Sequence, residues 1–286
     1  MKLSQSIARS LALSCLAVTF TLNAPLANGI TPKPADSKPA DSKPGYVPQP
    51  GQEGKDVIWL PTAQSLVDRM LDLASVTAND FVIDLGSGDG RTVITAAKRG
   101  AKALGVEFNP NMVEFARRNA EKEGVGEKAQ FKQGDIFETD FSQATVLTMF
   151  LLPSLNRKLR PTVLDMKPGT RVVSNSFDMG EWMPDRTERV TEGCSGHCTA
   201  HFWVVPAKVQ GTWKLADGEL DLQQSFQVVG GTLKRGSAAT AISDGKLVGD
   251  QITFTAGGTQ YTGKVNGNTI EGTSGDAKTP WRATRS

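Results

Sequence analysis

Cysteine, histidine and tyrosine are scarce in this chain, which has three, two and two of them among 286 residues. Cys15 lies in an N-terminal apolar run, so only Cys194 and Cys198 remain for a folded body, and a disulfide-rich scaffold is excluded. An excess of either charge is missing as well. Thirty-two Lys and Arg stand against 30 Asp and Glu, a net +2, which supplies no strong attraction to nucleic acid or to a membrane surface. The apolar run Leu11–Leu22 is short for a membrane span. The G-x-G-x-x-G fingerprint of dinucleotide sites is absent too, because the third glycine comes one residue early and Arg91 holds its place. What is present is ordinary for a soluble globular protein, at 38% hydrophobic and 22% charged, with length for one large domain and one small one.

Residues 1–29 read as a signal peptide or a short uncleaved anchor. Lys2 and Arg9 precede the apolar run, and Ala27-Asn28-Gly29 offers small residues for cleavage after Gly29. Either form places the rest of the chain outside the cytoplasm, exported, periplasmic or membrane-tethered, with any tether confined to this segment. Residues 30–54 form a linker whose Lys-Pro-Ala-Asp-Ser repeat cannot build a core and serves as an extended spacer.

Residues 55–207 alternate between two periodicities. A helix is expected around Leu66, Met70, Leu71, Leu73 and Ala74. Strands are expected at 81–85, 103–107, 129–133, 145–150 and 170–175, and helices at 91–99, 110–123 and 154–165. That alternation predicts a doubly wound, parallel α/β sheet. Two further strands are expected near 187–192 and 200–206. From 208 to 286 helical patterns vanish. Gly-rich turns and the paired units at Gly245 and Gly263 predict a small antiparallel barrel or sandwich of six to eight strands, with Trp213 and Trp281 capping one core.

Val82-Ile-Asp-Leu-Gly-Ser-Gly-Asp-Gly-Arg91 is a strand, a glycine turn and a helix start, which brings backbone N–H groups and a helix N-terminus to a ligand. The second strand ends on Glu107, where a ribose is gripped through its hydroxyls. This combination resembles motif I of the class I S-adenosylmethionine (SAM) methyltransferases. The resemblance implies SAM as cofactor and a seven-stranded sheet closed by an antiparallel pair. It further implies that Gly86, Ser87, Gly88 and Gly90 cradle the methionine part, that Asp84 holds the turn, that Glu107 takes the ribose and that Phe108 lies against the adenine. Gly134-Asp135-Ile136 resembles the third motif, with Asp135 accepting from the adenine amino group. A turn acid or helix cap is the plainer reading of Asp135.

Lys55 to Thr62, Met149 to Asn156, Leu159-Arg160-Pro161 and Lys167 to Val173 narrow the resemblance. They are similar to the family containing the mitochondrial lysine methyltransferases of the ATP synthase c-subunit and of the adenine nucleotide translocase, with bacterial relatives. This implies that Trp59, Pro61 and Thr62 pack over the cofactor, and that the acceptor is a protein or small-molecule amine, protein lysine in particular. The Asn/Asp-Pro-Pro-Tyr/Phe motif of glutamine and nucleobase methyltransferases is absent, so no nucleic-acid partner is expected.

A lysine acceptor ordinarily holds its proton to a pKa of about 10.4, so a site must desolvate it or remove the proton. Asp178, after the fifth strand, is the candidate for that task, with Trp182 as an apolar wall; the plain alternative is a loop with capping acids. Cys194-Ser-Gly-His197-Cys198-Thr-Ala-His201 either holds a disulfide, binds a metal or carries free thiols, and is expected to stand apart from the cofactor turn. No metal is assigned to the site. Because SAM is made in the cytoplasm, an exported non-catalytic ligand- or protein-binding module on the same scaffold is the alternative function.

Overall fold

The computed structural model describes residues 45–286; the expected signal peptide or anchor and residues 30–44 of the linker lie outside the described residues. The first layer is built from α1 (Gln64–Leu73), β1 (Phe81–Leu85), α2 (Arg91–Lys98), β2 (Lys102–Glu107), α3 (Pro110–Lys122), β3 (Ala129–Gln133), β4 (Val146–Met149), α4 (Pro153–Leu164), β5 (Arg171–Asn175), β6 (Arg186–Arg189) and β7 (Thr199–Val204). The strands form one seven-stranded sheet in the order β3-β2-β1-β4-β5-β7-β6.

Strands β1 and β4 sit centrally, and nearly every residue in them is buried, which is why they read as near-continuous apolar runs, broken only by the mutually bonded Asp84 and Thr148, rather than as alternation. All neighbours from β3 to β5 are parallel; β7 runs antiparallel to both β5 and β6. The order reverses between β1 and β4. In a doubly wound sheet the crevice outside the carboxyl ends of those two strands is where ligands bind. Helix starts follow local chemistry. Asn109 caps α3 by accepting the N–H of Asn111, and Pro110 takes the first helical position, where no N–H is needed.

Strand β6 is shorter than expected and mostly exposed, because the chain from 190 onward leaves the sheet into a loop closed by a Cys194–Cys198 disulfide. This settles the Cys/His cluster as a disulfide. Among the described residues, no group of three or more His, Cys, Asp or Glu could hold a metal ion.

The second unit is a closed eight-stranded antiparallel barrel: β8 (Gly211–Leu215), β9 (Gly218–Ser225), β10 (Val228–Arg235), β11 (Ala238–Val248), β12 (Gln251–Ala256), β13 (Thr259–Asn266), β14 (Thr269–Ser274) and β15 (Thr279–Arg285). Each strand pairs with the next, and β15 returns to pair with β8, so no sheet edge is left open. The interior is filled. Trp213 and Trp281 both lie in it, with Phe254 stacked on Tyr261 at 4.8 Å and Trp281 edge-on to both.

The barrel is docked on the α/β layer through the β9–β10 turn. Phe226, at φ 55°, stacks on Trp182, and the Arg160 guanidinium lies 5.3 Å from the same ring. Gln227 Nε2 donates to the Met183 carbonyl at 2.8 Å, and Lys246 pairs with Asp185 at 3.4 Å. Trp182 is therefore fully buried against Trp203 and Phe226 and does not face an acceptor site as expected.

Candidate active site

The glycine turn after β1 sits at the switch point, and a cavity of about 520 Å³ opens above it. Its backbone is fixed by Gly86 and Ser87, whose N–H groups both donate to the Val106 carbonyl of β2. Gly86, Gly88 and Gly90 all have positive φ (77°, 52° and 84°), a region that side chains rarely adopt. Gly88 is constrained twice, since Trp59 packs directly on it. Arg91 stands in place of the third glycine. It forks onto the Asp89 carboxylate and donates from Nη1 to the Thr62 carbonyl at 2.6 Å. That link ties the segment 59–62 to the turn. The Thr62 hydroxyl also accepts from Asn175 Nδ2 at 3.2 Å.

Glu107 stands at the tip of β2. Its Oε2 accepts the Gly88 N–H at 3.0 Å and its Oε1 the Asn109 N–H at 2.9 Å. A carboxylate has about four acceptor sites, so roughly two remain for hydroxyls of a ligand. Asp84, at the end of β1, is buried and takes the Thr148 hydroxyl at 2.7 Å. Burial, with the nearby negative charges of Asp89 and Glu107, pushes its carboxyl up to about 7 against that hydrogen bond. A cationic ligand group beside Asp84 would relieve this.

Asp135 follows β3 and holds its own turn through the Phe137 N–H at 2.8 Å. Its other oxygen pairs with Lys55, and that hydrogen bond, with the Phe137 N–H, holds the carboxyl below the usual range. Lys55 also lies 5.2 Å from the centre of the half-exposed Phe108 ring. Thus Asp135, Phe108 and Ile136 form one end of the cavity, beneath the strap that carries Lys55, Trp59 and Pro61. Every cofactor-side residue expected from the sequence lines this cavity except Gly90. Gly90 packs instead against Phe131 beneath the turn, where a Cβ would fall 2.6 Å from the ring.

Asp178 does not reach the cavity. It is exposed, and its Oδ1 takes the N–H of Gly180 at 3.0 Å, which makes it a turn-capping acid. The residue before it goes there instead. Ser176 has φ 60° and the Phe177 N–H donates back to the Asn175 carbonyl at 2.7 Å, a γ-turn of the strained kind that throws the Phe177 ring inward. Phe150, after β4, lies nearly parallel to it at 6.1 Å, and His197 closes on both. Sequence reasoning missed Lys55, Arg91, Phe177 and His197. Arg91 was the one with a signal, since it stands where a glycine was due.

The protein family described as ANTKMT methyltransferase domain matches residues 84–186. The chain is similar to a protein-lysine N-methyltransferase of Saccharolobus islandicus, 45% identical over 152 residues, which cover 52% of this chain and 94% of that protein. It is 38% identical to the ATP synthase c-subunit lysine N-methyltransferase of Rattus norvegicus over 110 residues, 37% of this chain and 50% of that one. So it spans nearly all of the archaeal relative and half of the mammalian one. Among solved structures, it is similar to an RNA methyltransferase from Salinibacter ruber in complex with S-adenosyl-L-homocysteine, 49% identical, with 52% and 96% of the two chains covered and a TM-score of 0.49.

Proposed function

The chain belongs to the class I SAM-dependent methyltransferases, in the family that carries the ANTKMT methyltransferase domain, and from that premise we propose that it methylates an amine, the side chain of a protein lysine, with SAM as donor. The observation that carries the reading is a single cavity with two chemistries. One end holds the glycine turn, Asp84, Glu107 and Asp135; the other is walled by Phe150 and Phe177.

The polar end fits the cofactor. Glu107 retains acceptor sites for the ribose hydroxyls, and the buried Asp84 gains from a neighbouring ammonium. SAM supplies a methyl group already activated on a sulfonium, so the chain has to position two reactants in line and accept an unprotonated amine. The apolar end serves the second need, because a desolvated ammonium loses its proton more easily than one in water. The lysine acceptor draws support from the activities of the archaeal and mammalian relatives. Action outside the cytoplasm, exported or tethered through the N-terminal segment, draws support from the Cys194–Cys198 disulfide, a bond that persists in oxidising compartments.

Calorimetric titration of S-adenosylhomocysteine into the full chain, beside Asp84→Ala and Glu107→Ala, tests the donor site. The expected result is micromolar binding that both variants weaken by tenfold or more. Labelled methyl from SAM is then followed onto lysine-containing peptides. Absence of cofactor binding by folded protein leaves the non-catalytic binding module standing, and label on RNA instead of lysine overturns the acceptor.

A further inference from the structure

We propose that His197 recognises the acceptor amine, and that the Cys194–Cys198 disulfide holds it at the acceptor end of the cavity. The inference rests on the amine-methyltransferase reading and deepens it.

Three rings meet there. The His197 ring centre lies 5.1 Å from that of Phe150 and 5.4 Å from that of Phe177, and all three side chains line the cavity. His197 is exposed, so its ring faces the opening rather than filling a core. An ammonium within about 6 Å of such ring faces is attracted by their quadrupoles, and it keeps its stem against apolar carbon. Two phenylalanines give the amine no hydrogen-bonding atom. The imidazole supplies one, and an acceptor for an amine N–H orients the nitrogen lone pair.

The position of His197 comes from its loop. Residues 195–197 span the bridge between Cys194 and the buried Cys198. On one side the Ser65 hydroxyl of α1 holds the Gly193 carbonyl at 3.0 Å. On the other, the Val190 N–H donates to the Cys198 carbonyl and the Ser176 N–H to the Thr199 carbonyl, at 2.9 and 2.7 Å. The second of these bonds joins the His197 loop directly to the γ-turn that presents Phe177. A dithiol that takes over the S–S bond, itself becoming a cyclic disulfide, leaves two thiols and frees residues 195–197. The glycine turn and Glu107 do not touch the bridge, so the donor site stays as it was.

The chain has two histidines, His197 and His201, so its imidazole Cε1–H region holds two signals. His201, bonded through Nδ1 to the Thr187 hydroxyl outside the cavity, is the internal reference. The probe is n-butylamine, the lysine side chain without its backbone, titrated by NMR into full-length protein saturated with S-adenosylhomocysteine. The His197 signal is expected to move and the His201 signal to stay. His197→Ala is expected to weaken butylamine about threefold or more, and dithiothreitol to do the same to the wild type, both with unchanged cofactor affinity. An unmoved His197 signal in cofactor-saturated protein overturns this inference alone. Butylamine affinity untouched by reduction overturns the part played by the disulfide. Failure to bind S-adenosylhomocysteine at all overturns the donor reading and this inference with it.

Discussion

The indole of Trp59 occupies the space that a side chain on Gly88 would need: a Cβ built there falls 2.4 Å from Trp59 Nε1. The glycine is thus required by its φ of 52° and, separately, by a neighbour from the strap. Gly88→Ala should lower S-adenosylhomocysteine affinity at least tenfold, through about 1 kcal/mol of backbone strain plus displacement of the indole. Trp59→Ala removes the collision but also a wall of the cavity. The double variant should therefore lose less than the sum of the two single losses, and titration calorimetry on the four proteins reads that coupling. Strict additivity would show that Trp59 does not bear on the turn.

Motif I was legible because its determinants are local. Buried apolar runs and three glycines with positive φ specify β1, the turn and the start of α2 within ten residues. The hairpins of the barrel were legible for the same reason, but its closure was not, since β8 meets β15 across the whole unit and no local pattern announces that pairing. Asp178 and Trp182 were misread because their roles depend on what comes later. The barrel buries Trp182, and the tight loop commits the Asp178 carboxylate to the Gly180 N–H. His197 was set apart from the site because the sequence does not show that β7 begins beside the γ-turn at Ser176.

Asp84 makes stability depend on pH. Its carboxyl protonates near 7 in the folded chain and in the ordinary range near 4 once unfolded. Between those values the folded state holds the extra proton, so stability falls as pH rises from about 4 to about 7, and the full cost is present above 7. About three pH units correspond to at most roughly 4 kcal/mol. Asp84→Asn keeps an oxygen for the Thr148 hydroxyl and removes the charge. Its Tm should exceed that of the wild type by about 5 °C at pH 8 and match it near pH 4.5, by scanning calorimetry. The same variant should bind S-adenosylmethionine at least tenfold more weakly, which would separate the structural cost of the carboxylate from its use.

Phe226 joins the two units, and Arg160 holds both it and the loop that presents Phe177, donating from Nη1 to the Met179 carbonyl at 2.9 Å. With this stack in place, sheet and barrel should unfold in one calorimetric transition. Phe226→Ala empties the contact with Trp182 and should cost about 2–3 kcal/mol, enough to split the trace into two transitions. Cofactor affinity should hold, because Glu107 and the glycine turn lie on the far side of the sheet order from β5. A single transition shifted as a whole would mean that Gln227, Lys246 and the remaining contacts couple the units without Phe226.

Asp178 and Phe177 are neighbours in sequence with opposite expected roles, which makes them a sharp test of where the acceptor binds. The Asp178 carboxylate is exposed, and its hydrogen bond to the Gly180 N–H can be made by an asparagine oxygen as well. Asp178→Asn should therefore leave kcat and the acceptor KM within about twofold of wild type and lose at most about 1 kcal/mol of stability. Phe177→Ala strips the ring that Ser176 strains to place, and should raise the acceptor KM about tenfold while S-adenosylmethionine affinity stays put. If instead Asp178→Asn lowered kcat by a hundredfold with an unchanged cofactor affinity, the carboxylate would be taking the amine proton. The γ-turn would then have to open in the working enzyme, since as it stands it turns Phe177, and not Asp178, toward the cavity.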